Sequence, residues 1–329
     1  MKSPTRRVML GLAAGLLAMP LAFAQTPMKL TLGHNAGPGN PKSEAAIKFA
    51  DIVKAKTNGR INVQVGGGAQ LGDDLTMISA LRTGTLDMSI NSQGPLSSVL
   101  PELAALGLPF LFASLPDAWK VLDGPVGQDL AKRLESKNML LLGWMDNGIR
   151  QVTNNRRPVN VPADLQGMKL RTPADPATVD LFQAMGALTQ QINFSELYIA
   201  LQQGVVDGQE NPLANIHSSK LYEVQRYLSF TNHKYECMPF IMSSITWARL
   251  SPADREIIRA AAVEATAYER KLMFDSDEKL LGEFKKMPNL QINTPPSLAP
   301  FKAATEKVWD DWEKKPFGDF VKSLRATRK

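Results

Sequence analysis

Short alternating strands separated by amphipathic helices are the feature that most restricts how this chain can fold. Residues 28–33 alternate like a strand, residues 45–56 place apolar side chains on one helical face, and residues 60–65 alternate again. A helix at 75–82 and a strand at 86–91 continue the order. Strands and helices at this spacing predict βαβ units and a mostly parallel sheet, which is an α/β fold.

A second set of elements is predicted to begin near residue 147. Its predicted strands are 150–153, 169–172, 189–192 and 205–209, and its predicted helices are 177–185 and 195–203, the second capped by Ser195. Residues 139–145 form a buried strand that leads into this set, and residues 236–247 return to long apolar strands. The return indicates that the chain passes back to the first unit. We therefore predict two lobes.

A long helix is predicted to cross both lobes. Ser251, Pro252 and Asp254 form a helix start, with Ser as the N-cap, Pro at the first position and an acid in the first turn. The helical pattern runs to about Lys286, which is about 50 Å at 1.5 Å per residue and longer than a small lobe. A last helix is predicted at 301–315. The predicted boundaries are 25–146 and 236–275 for lobe I, and 147–235 and 276–329 for lobe II.

The first residues have the pattern of an export signal. Lys2, Arg6 and Arg7 precede the mostly apolar run 8–21, which is shorter than the roughly 20 residues of a membrane-spanning helix. Small residues at 22 and 24 complete the pattern, so residues 1–24 are predicted to be a signal peptide for export to the periplasm. A twin-arginine signal is the alternative to the ordinary secretory route.

Composition excludes several classes of function. The formal net charge of +6 includes three charges in the leader, and no Lys/Arg stripe is interleaved with aromatic residues, so a nucleic-acid partner is not expected. The single cysteine, Cys237, cannot form an internal disulfide, and its apolar neighbours predict a buried thiol. The three histidines lack metal-ligand spacing, and no nucleophile or cofactor motif is present. Residues 66–68, Gly-Gly-Gly, are interpreted as a strand-end turn. We expect no metal, no cofactor and no enzymatic activity.

Polar residues lie just beyond several strand ends, where open α/β sheets bind ligands. They are His34, Asn35, Asp73, Asp74, Asn91, Ser92, Gln93, Asn147, Arg150, Arg171, Glu210 and Asn211. Two of them are arginines, and an Arg guanidinium can hold a carboxylate with two parallel hydrogen bonds. From spacing alone, each arginine could equally form a salt bridge within the protein.

Five sequence blocks, in order along the chain, resemble one protein family. They are 69–74 (AQLGDD), 147–150 (NGIR), 164–173 (DLQGMKLRTP), 194–202 (FSELYIALQ) and 206–212 (VDGQENP). The chain resembles the solute-binding proteins of tripartite ATP-independent periplasmic (TRAP) transporters, of the dicarboxylate- and sialate-binding (DctP) type. The likeness covers nearly all of the chain after the leader.

The resemblance implies a two-lobed clamp that is braced by a long helix and works with a two-part membrane permease. It also implies that Arg171 fixes a ligand carboxylate, that Arg150 contacts the anion and that Asn211 closes the carboxylate site. Phe194, from the FSEL block, is included among the ligand-binding residues. The protein is expected to be monomeric. A receptor that passes its ligand to a sensor, and a periplasmic enzyme on a related fold, are the alternatives.

The identity of the ligand is argued from charge and polarity. His34 replaces an apolar residue of the sialate-binding pattern and Ala174 replaces an Asn, which argues against sialate. Ionised Asp74 and Glu210 would repel a second carboxylate, and polar groups on the facing lobe suit hydroxyl groups. A hexuronate such as glucuronate or galacturonate is therefore favoured, with a C4-dicarboxylate or a 2-oxo acid as the alternatives.

Overall fold

The computed structural model describes residues 27–328, which form two β-sheets with helices packed around them. The signal peptide predicted for residues 1–24 lies outside the described residues. Within 27–328, none of the helices combines the length and the apolar character needed to cross a membrane.

Strands and helices alternate through most of the chain. The strands are β1 (Met28–Gly33), β2 (Ile61–Gly66), β3 (Met88–Ile90), β4 (Met139–Ile149), β5 (Gln151–Asn154), β6 (Lys169–Thr172), β7 (Leu188–Gln191), β8 (Gly208–Asn211), β9 (Tyr227–Ser229), β10 (Tyr235–Ser243) and β11 (Gln291–Asn293). The helices are α1 (Pro41–Lys56), α2 (Asp74–Thr83), α3 (Gln93–Leu96), α4 (Leu115–Leu122), α5 (Pro125–Glu135), α6 (Pro176–Ala184), α7 (Leu197–Gln202), α8 (Leu213–Ser218), α9 (Ser244–Arg249), α10 (Pro252–Phe284), α11 (Ala299–Trp312) and α12 (Gly318–Arg325). Short 3-10 helices occupy Pro101–Gly107, Pro162–Leu165, Phe194–Glu196 and Leu221–Glu223.

The first sheet has the strand order β2-β1-β3-β10-β4. Strands β1, β2 and β3 are parallel, as the βαβ pattern predicts, whereas β10 is antiparallel to both of its neighbours. Leu30 and Leu32 of β1 share a fully buried core with Phe49 of α1 and Phe240 of β10, and the two rings meet edge to face at 4.9 Å. This burial of apolar surface stabilises the first sheet against its helices.

The second sheet has the strand order β11-β9-β5-β8-β6-β7. Strand β6 is parallel to β7 and β8, while β5 runs antiparallel to β8 and β9. Val152 of β5 and Leu170 of β6 share a separate buried core with Phe182 of α6 and Phe301 of α11. The prediction of a mostly parallel sheet therefore holds for part of each sheet, while strands β9 and β11, which pair in parallel, and the antiparallel pairings were not predicted.

Two chain crossings and helix α10 connect the sheets. The crossings lie side by side, since the Arg150 backbone N–H donates to the Lys234 carbonyl at 2.9 Å. Helix α10 has 33 residues, or about 50 Å. Its first half shares the core of the first sheet through Ile258, and its second half shares a core with Leu228 of the second sheet through Phe284. The prediction of one long helix across both units is confirmed.

Several local predictions are confirmed as well. The Ser251 hydroxyl accepts from the Asp254 backbone N–H at 3.1 Å and so caps α10. Strand β2 ends at Gly66, and the chain turns at Gly68 with a φ of +60°, as a strand-end turn requires. The Cys237 thiol is fully buried.

Other local predictions are wrong. Ser195 lies inside a 3-10 helix and makes no capping hydrogen bond, so it does not start α7. Residues 205–207 are outside β8, and residues 244–247 belong to α9. In both segments apolar residues suggested buried strands, but Val205 is 43% exposed and Ile245 is 44% exposed.

Candidate functional site

Most of the polar residues predicted for the site lie at or near the carboxyl ends of parallel strands, whereas Asn147 and Arg150 lie in and just after β4, which is antiparallel to β10. His34 follows β1 and Asn91 follows β3 in the first sheet. Arg171 lies in β6 and Asn211 ends β8 in the second. We call the two groups the first wall and the second wall. The first wall consists of His34, Asn35, Lys42, Asp74, Asn91, Ser92 and Gln93. The second wall consists of Asn147, Arg150, Arg171, Phe194, Glu210 and Asn211.

Contacts across the gap hold the two walls together. Asn40, just before α1, donates from Nδ2 to Asn215 Oδ1 at 2.9 Å and to Ser218 Oγ at 3.1 Å, both in α8. Gly94 of α3 lies so close to α6 that an added Cβ would be 2.5 Å from the Asp175 Cβ. Only glycine fits at this position without a shift of its neighbours. The walls are therefore closed on each other.

Arg150 is held by two carboxylates of the protein. It is 2% exposed, and it donates to both carboxylate oxygens and the backbone carbonyl of Glu210 and to one oxygen of Glu236. Burial disfavours its charge, but the two carboxylates outweigh burial and raise the pKa of Arg150. Four of its five N–H donors are used in this way. Arg150 is thus not the free second cation that the resemblance implied, although one Nη1 hydrogen remains for a ligand.

The negative charge of Glu210 is balanced by Arg150. Burial opposes its ionisation, yet Arg150 and a hydrogen bond with His233 at 3.0 Å keep the pKa of Glu210 below its ordinary value. The carboxylate is ionised, but its charge is balanced at contact distance. The expectation that Glu210 repels a second ligand carboxylate therefore loses its physical basis.

Arg171 differs sharply from Arg150. It is only 3% exposed, its Nε donates to the Ile192 carbonyl at 2.8 Å, and its guanidinium carbon lies 5.9 Å from the centroid of the Phe194 ring. No residue between 27 and 328 forms a hydrogen bond or ion pair with its two outer nitrogens. Burial lowers the pKa of Arg171 to about 10, against the attraction of Glu210, so it stays charged at pH 7. It is a buried cation with two parallel donors to offer.

A β-bulge directs Asn147 into the second wall. Glu236 of β10 pairs with Gly148, and the register then skips Asn147. Gly148 has a φ of +114°, which residues with a side chain rarely adopt. The Asn147 amide donates to Glu236 and accepts from Asn215 Nδ2 at 3.0 Å. This geometry accounts for the Asn-Gly pair in the block at 147–150.

Asn215 joins both walls into one network. Its Oδ1 accepts from Asn40, and its Nδ2 also donates to Asn211 Oδ1 at 3.1 Å. Asn211 in turn donates to Gln209. The position of Asn211 is therefore coupled to the closure contact at Asn40.

Asp74 organises part of the first wall. Its Oδ1 accepts from Asn91 Nδ2 at 2.9 Å and from the Ser92 backbone at 3.3 Å, and its Oδ2 accepts from Asn35 Nδ2 at 2.7 Å. Burial raises the pKa of Asp74, opposed by the positive charge of Lys42. Asn35, Asn91 and Ser92 are thus held mainly by Asp74.

His34 and Gln93 each keep one buried polar atom without a partner in the described part of the chain. His34 Nδ1 accepts from the Ala36 backbone at 3.2 Å, and its Nε2 is unpartnered. Burial, followed by the charge of Lys42, lowers the pKa of His34 to about 4. Gln93 Oε1 accepts from the Cys237 backbone at 3.0 Å, and its Nε2 is unpartnered.

Three members of this assembly were not identified from the sequence. Lys42 lies in the first turn of α1, Asn215 lies in α8 and Glu236 lies within β10. Our criterion was position just beyond a strand end, which none of the three satisfies. One feature of the sequence could have drawn attention to Lys42. The segment Asn40-Pro41-Lys42 begins a helix, and a cation in the first turn is unfavourable there because it opposes the helix dipole.

No cluster of His, Cys, Asp or Glu side chains suited to a metal ion occurs among residues 27–328.

Comparison with known proteins agrees with this architecture. The family model described as bacterial extracellular solute-binding protein, family 7 (DctP), matches residues 32–315. An uncharacterized protein of Sinorhizobium fredii, y4mM, is 50% identical over 98% of this chain, which spans 60% of that protein's length.

Three solved structures of TRAP periplasmic solute-binding proteins are also similar. The protein from Polaromonas sp. JS666, bound to D-erythronate, is 35% identical, with a TM-score of 0.88 over 92% of this chain and 99% of its own. The protein from Sulfurospirillum deleyianum, with bound succinate, is 34% identical with the same TM-score and coverage. The protein from Chromohalobacter salexigens, with bound D-glucuronate, is 30% identical, with a TM-score of 0.86 over 91% and 99%.

These similarities extend over both sheets and helix α10, and they confirm the prediction of a two-lobed α/β clamp braced by a long helix. The chain therefore belongs to the DctP family of bacterial extracellular solute-binding proteins, the family that serves TRAP transporters.

Proposed function

We propose that this protein captures a monocarboxylic sugar acid, a hexuronate such as glucuronate or galacturonate, and delivers it to a two-part TRAP membrane permease. The observation that carries the proposal is Arg171, a buried guanidinium whose outer nitrogens have no partner among residues 27–328. A buried charge without a partner costs free energy, and a ligand carboxylate would remove that cost. The planar fork of Arg171 suits two parallel bonds to such a carboxylate.

The surroundings of Arg171 also suit a carboxylate. Arg150 balances Glu210 and Glu236, so these two acids do not oppose the approach of an anion at close range. Phe194 lies beside the guanidinium and keeps one side of it apolar. Asn211, which ends the adjacent strand, is the amide placed to close the carboxylate site.

The preference for a sugar acid rests on the first wall. The Nε2 atom of His34 has no partner among residues 27–328 and suits a hydroxyl group of the ligand, whereas the unpartnered Nε2 of Gln93 lies toward Gly107 and Lys234. Asp74 remains as an acid that disfavours a second carboxylate at that end. The complexes of similar proteins with D-erythronate and D-glucuronate support this preference, and the complex with succinate keeps a C4-dicarboxylate as the second candidate.

The proposal includes the location and the division of the chain. Residues 1–24 are the signal peptide that directs the protein to the periplasm. Lobe I comprises 25–146 and 236–275, and lobe II comprises 147–235 and 276–329. The ligand-binding residues are Arg171, Arg150, Asn211, His34, Asn35, Asp74, Asn91, Ser92, Gln93, Asn147, Phe194 and Glu210. The protein acts as a monomer and does no chemistry on its ligand.

A thermal-shift screen on ligand-free protein tests the proposal. The acids are D-glucuronate, D-galacturonate, D-erythronate, succinate, malate and sialate, each over a concentration series. We expect the hexuronates to give the largest rise in melting temperature, because a ligand that binds only the folded state stabilises it. A larger shift with succinate or malate would replace the hexuronate assignment by a C4-dicarboxylate. No shift with any of the six acids would contradict the assignment of an organic acid.

A further inference from the structure

Lys42 is a buried cation without a counter-ion. Its side chain is 2% exposed, and its single side-chain hydrogen bond runs from Nζ to Asn35 Oδ1 at 2.8 Å. Among the described residues no carboxylate forms an ion pair with it. An ammonium group has three N–H donors, so at least two remain unused. Burial lowers the pKa of Lys42, although the more distant charges of Asp74 and Glu236 oppose this effect.

Lys234 is the natural comparison, since it is the other fully buried lysine identified in the core. Its Nζ pairs with Asp175 and donates to Thr178 Oγ1 at 2.7 Å. In contrast to Lys42, the opposing charges around Lys234 outweigh burial and raise its pKa. One buried lysine is therefore satisfied by the protein and the other is not.

The position of Lys42 in its helix gives no local benefit. It is the second residue of α1, where Asn40 Oδ1 accepts from its backbone N–H at 3.0 Å. A positive side chain in the first turn opposes the helix dipole. Neither helix stability nor an ion pair within 27–328 explains why a lysine is buried here.

Two other residues of the first wall, His34 and Gln93, leave donors unused. The Ala36 N–H donates to His34 Nδ1, so that nitrogen is the acceptor and the ring proton lies on Nε2. Nε2–H is therefore a donor without an acceptor, and the Gln93 Nε2 amide is another. Lys42 lies beside this part of the wall, since its Nζ donates at 2.8 Å to Asn35, the residue that follows His34. In the first wall, therefore, the N–H donors outnumber the acceptors that the described part of the protein provides for them.

Hydrogen bonds connect Lys42 to the opposite wall. Its backbone N–H donates to Asn40 Oδ1, and Asn40 Nδ2 donates to Asn215 Oδ1 at 2.9 Å. Asn215 Nδ2 in turn donates to Asn147 Oδ1 at 3.0 Å and to Asn211 Oδ1 at 3.1 Å, and Asn211 ends the strand next to that of Arg171. The two cations that the protein leaves unpaired, Lys42 and Arg171, are therefore on opposite walls of one site.

We infer that Lys42 is a second ligand anchor, which binds an oxygen of the hydroxyl- or carbonyl-bearing end of the acid while Arg171 holds its carboxylate. The inference rests on the proposed function and adds a ligand-binding residue to it. Asn35 links Lys42 to Asp74, so the ammonium is partly balanced and suits a neutral acceptor better than a second carboxylate. A ligand that reaches both anchors bridges the walls only when they are closed, which favours the closed state.

The test compares Lys42→Met with Lys234→Met in the mature full-length protein. Methionine keeps most of the length and volume of the lysine stem and removes the charge. For Lys42→Met we expect the affinity for D-glucuronate, measured by calorimetry, to fall roughly 10- to 100-fold, because a charge-assisted hydrogen bond is lost. The melting temperature of the ligand-free variant should stay unchanged or rise, because an unpaired buried charge is removed.

Lys234→Met should behave in the opposite way. It leaves Asp175 without its partner, so the ligand-free melting temperature should fall, while the affinity of the protein that remains folded changes less than for Lys42→Met. Lys42→Gln, which keeps a donor but no charge, should give an intermediate affinity, and it serves as the second variant if Lys42→Met does not fold.

The outcomes are distinct. D-Glucuronate binding by Lys42→Met or Lys42→Gln within twofold of the parent overturns the role of Lys42 and leaves the proposed function standing. A lowered ligand-free melting temperature with unchanged affinity assigns Lys42 to structure alone and overturns the inference as well. Failure of the parent protein to bind any acid of the screen removes the proposed function, and this inference falls with it.

Discussion

The two walls of the site are built differently. In the second wall the protein satisfies most of its own groups: Glu210 and Glu236 accept from four of the five N–H donors of Arg150, and Asn211 is held by Asn215. In the first wall Lys42 keeps unused donors, and so does His34. A wall whose polar groups already have partners is preorganised for binding. A wall with unsatisfied donors forms new hydrogen bonds when a ligand binds. Apart from Arg171, therefore, a ligand would complete more hydrogen bonds in the first wall than in the second.

Arg171 is the one member of the second wall that breaks this rule. It has the same burial as Arg150 but no acid to balance it. A buried charge is normally paired, and this exception is the reason for our proposal that Arg171 binds the ligand carboxylate. The predictions below test these assignments in order of decreasing expected effect.

The largest effect is expected from Arg150→Met. Removing one partner of a buried ion pair leaves the others uncompensated, and here two carboxylates, Glu210 and Glu236, would lose their cation. The free energy of unfolding should fall by about 3–5 kcal/mol. Urea unfolding followed by circular dichroism measures this change. The control is Arg60→Met, which breaks a less buried pair with Asp254 and should cost less. Equal losses in the two variants would show that the second wall is not specially organised around Arg150.

The next effect concerns Arg171→Lys. A lysine keeps the charge but replaces a planar fork by a point charge, so a bidentate carboxylate contact is lost. The affinity for D-glucuronate should fall by a factor that corresponds to about 1.5–3 kcal/mol, whereas the stability of the ligand-free protein should change little. Titration calorimetry measures the affinity. Arg156→Lys, at an exposed position paired with Asp207, is the control and should bind normally. Binding by Arg171→Lys within twofold of the parent would exclude Arg171 as the carboxylate anchor.

Sequence periodicity predicted the elements that obey simple physical rules. Strands β1 and β6 and the start of α10 were predicted correctly, because alternation and capping residues determine them locally. Strands β4, β5 and β10 were predicted as strands, but their antiparallel pairing was not, and the helices α4 and α5 were not predicted. Strand pairing depends on contacts between distant residues, such as β10 with β3 and β4, and the order of residues in one strand does not encode it.

The site was predictable in location but not in charge. Most residues of the predicted set lie near the carboxyl ends of parallel strands, and their role in binding a ligand stays a prediction. Asp73 lies outside both walls, as the N-cap of α2. Which arginine is free could not be read from spacing, since Glu236 reaches Arg150 from a strand 86 positions later. Lys42 was missed because it lies in a helix turn rather than at a strand end.

The first wall also predicts a dependence of stability on pH. The pKa of His34 is lowered from 6.5 to about 4 in the folded protein, so the unfolded chain takes up the proton more readily. The contribution of neutral His34 to the free energy of unfolding is constant above pH 6.5, and it is lost as the pH falls from 6.5 toward 4. At pH 5 the loss is about 2 kcal/mol, from 1.36 kcal/mol per pH unit.

His34→Gln isolates this contribution from those of other groups. Asp74, whose pKa is raised, changes stability in the opposite direction over acidic pH, but it does so in parent and variant alike. The unfolding free energy of the parent should therefore drop more between pH 7.5 and pH 5 than that of the variant. Identical drops would show that His34 is not held neutral in the first wall.

The smallest effect tests the link between the walls. Asn40 has two separate roles, because its Oδ1 accepts from the Lys42 backbone and caps α1, while its Nδ2 donates across the gap to Asn215 and Ser218. Asn40→Ser keeps the cap, since serine is as good an N-cap as asparagine, but its side chain is too short to reach α8. The stability of the ligand-free protein should therefore change by only a few tenths of a kcal/mol.

The affinity should respond instead. Bonds that exist only when the walls are closed add to the free energy of closure, and each neutral hydrogen bond contributes about 0.5–1.5 kcal/mol. Both bonds come from the one Asn40 amide group, and water replaces part of each, so their joint loss should cost about 1 kcal/mol. D-Glucuronate binding should then weaken roughly three- to tenfold, measured by calorimetry beside the Asn40→Ala variant, which also loses the cap. If Asn40→Ser binds like the parent while Asn40→Ala does not, the cap and not the contact across the gap determines affinity. In that case the bonds from Asn40 to Asn215 and Ser218 would not contribute to closure, and the ligand itself would be the main link between the two walls.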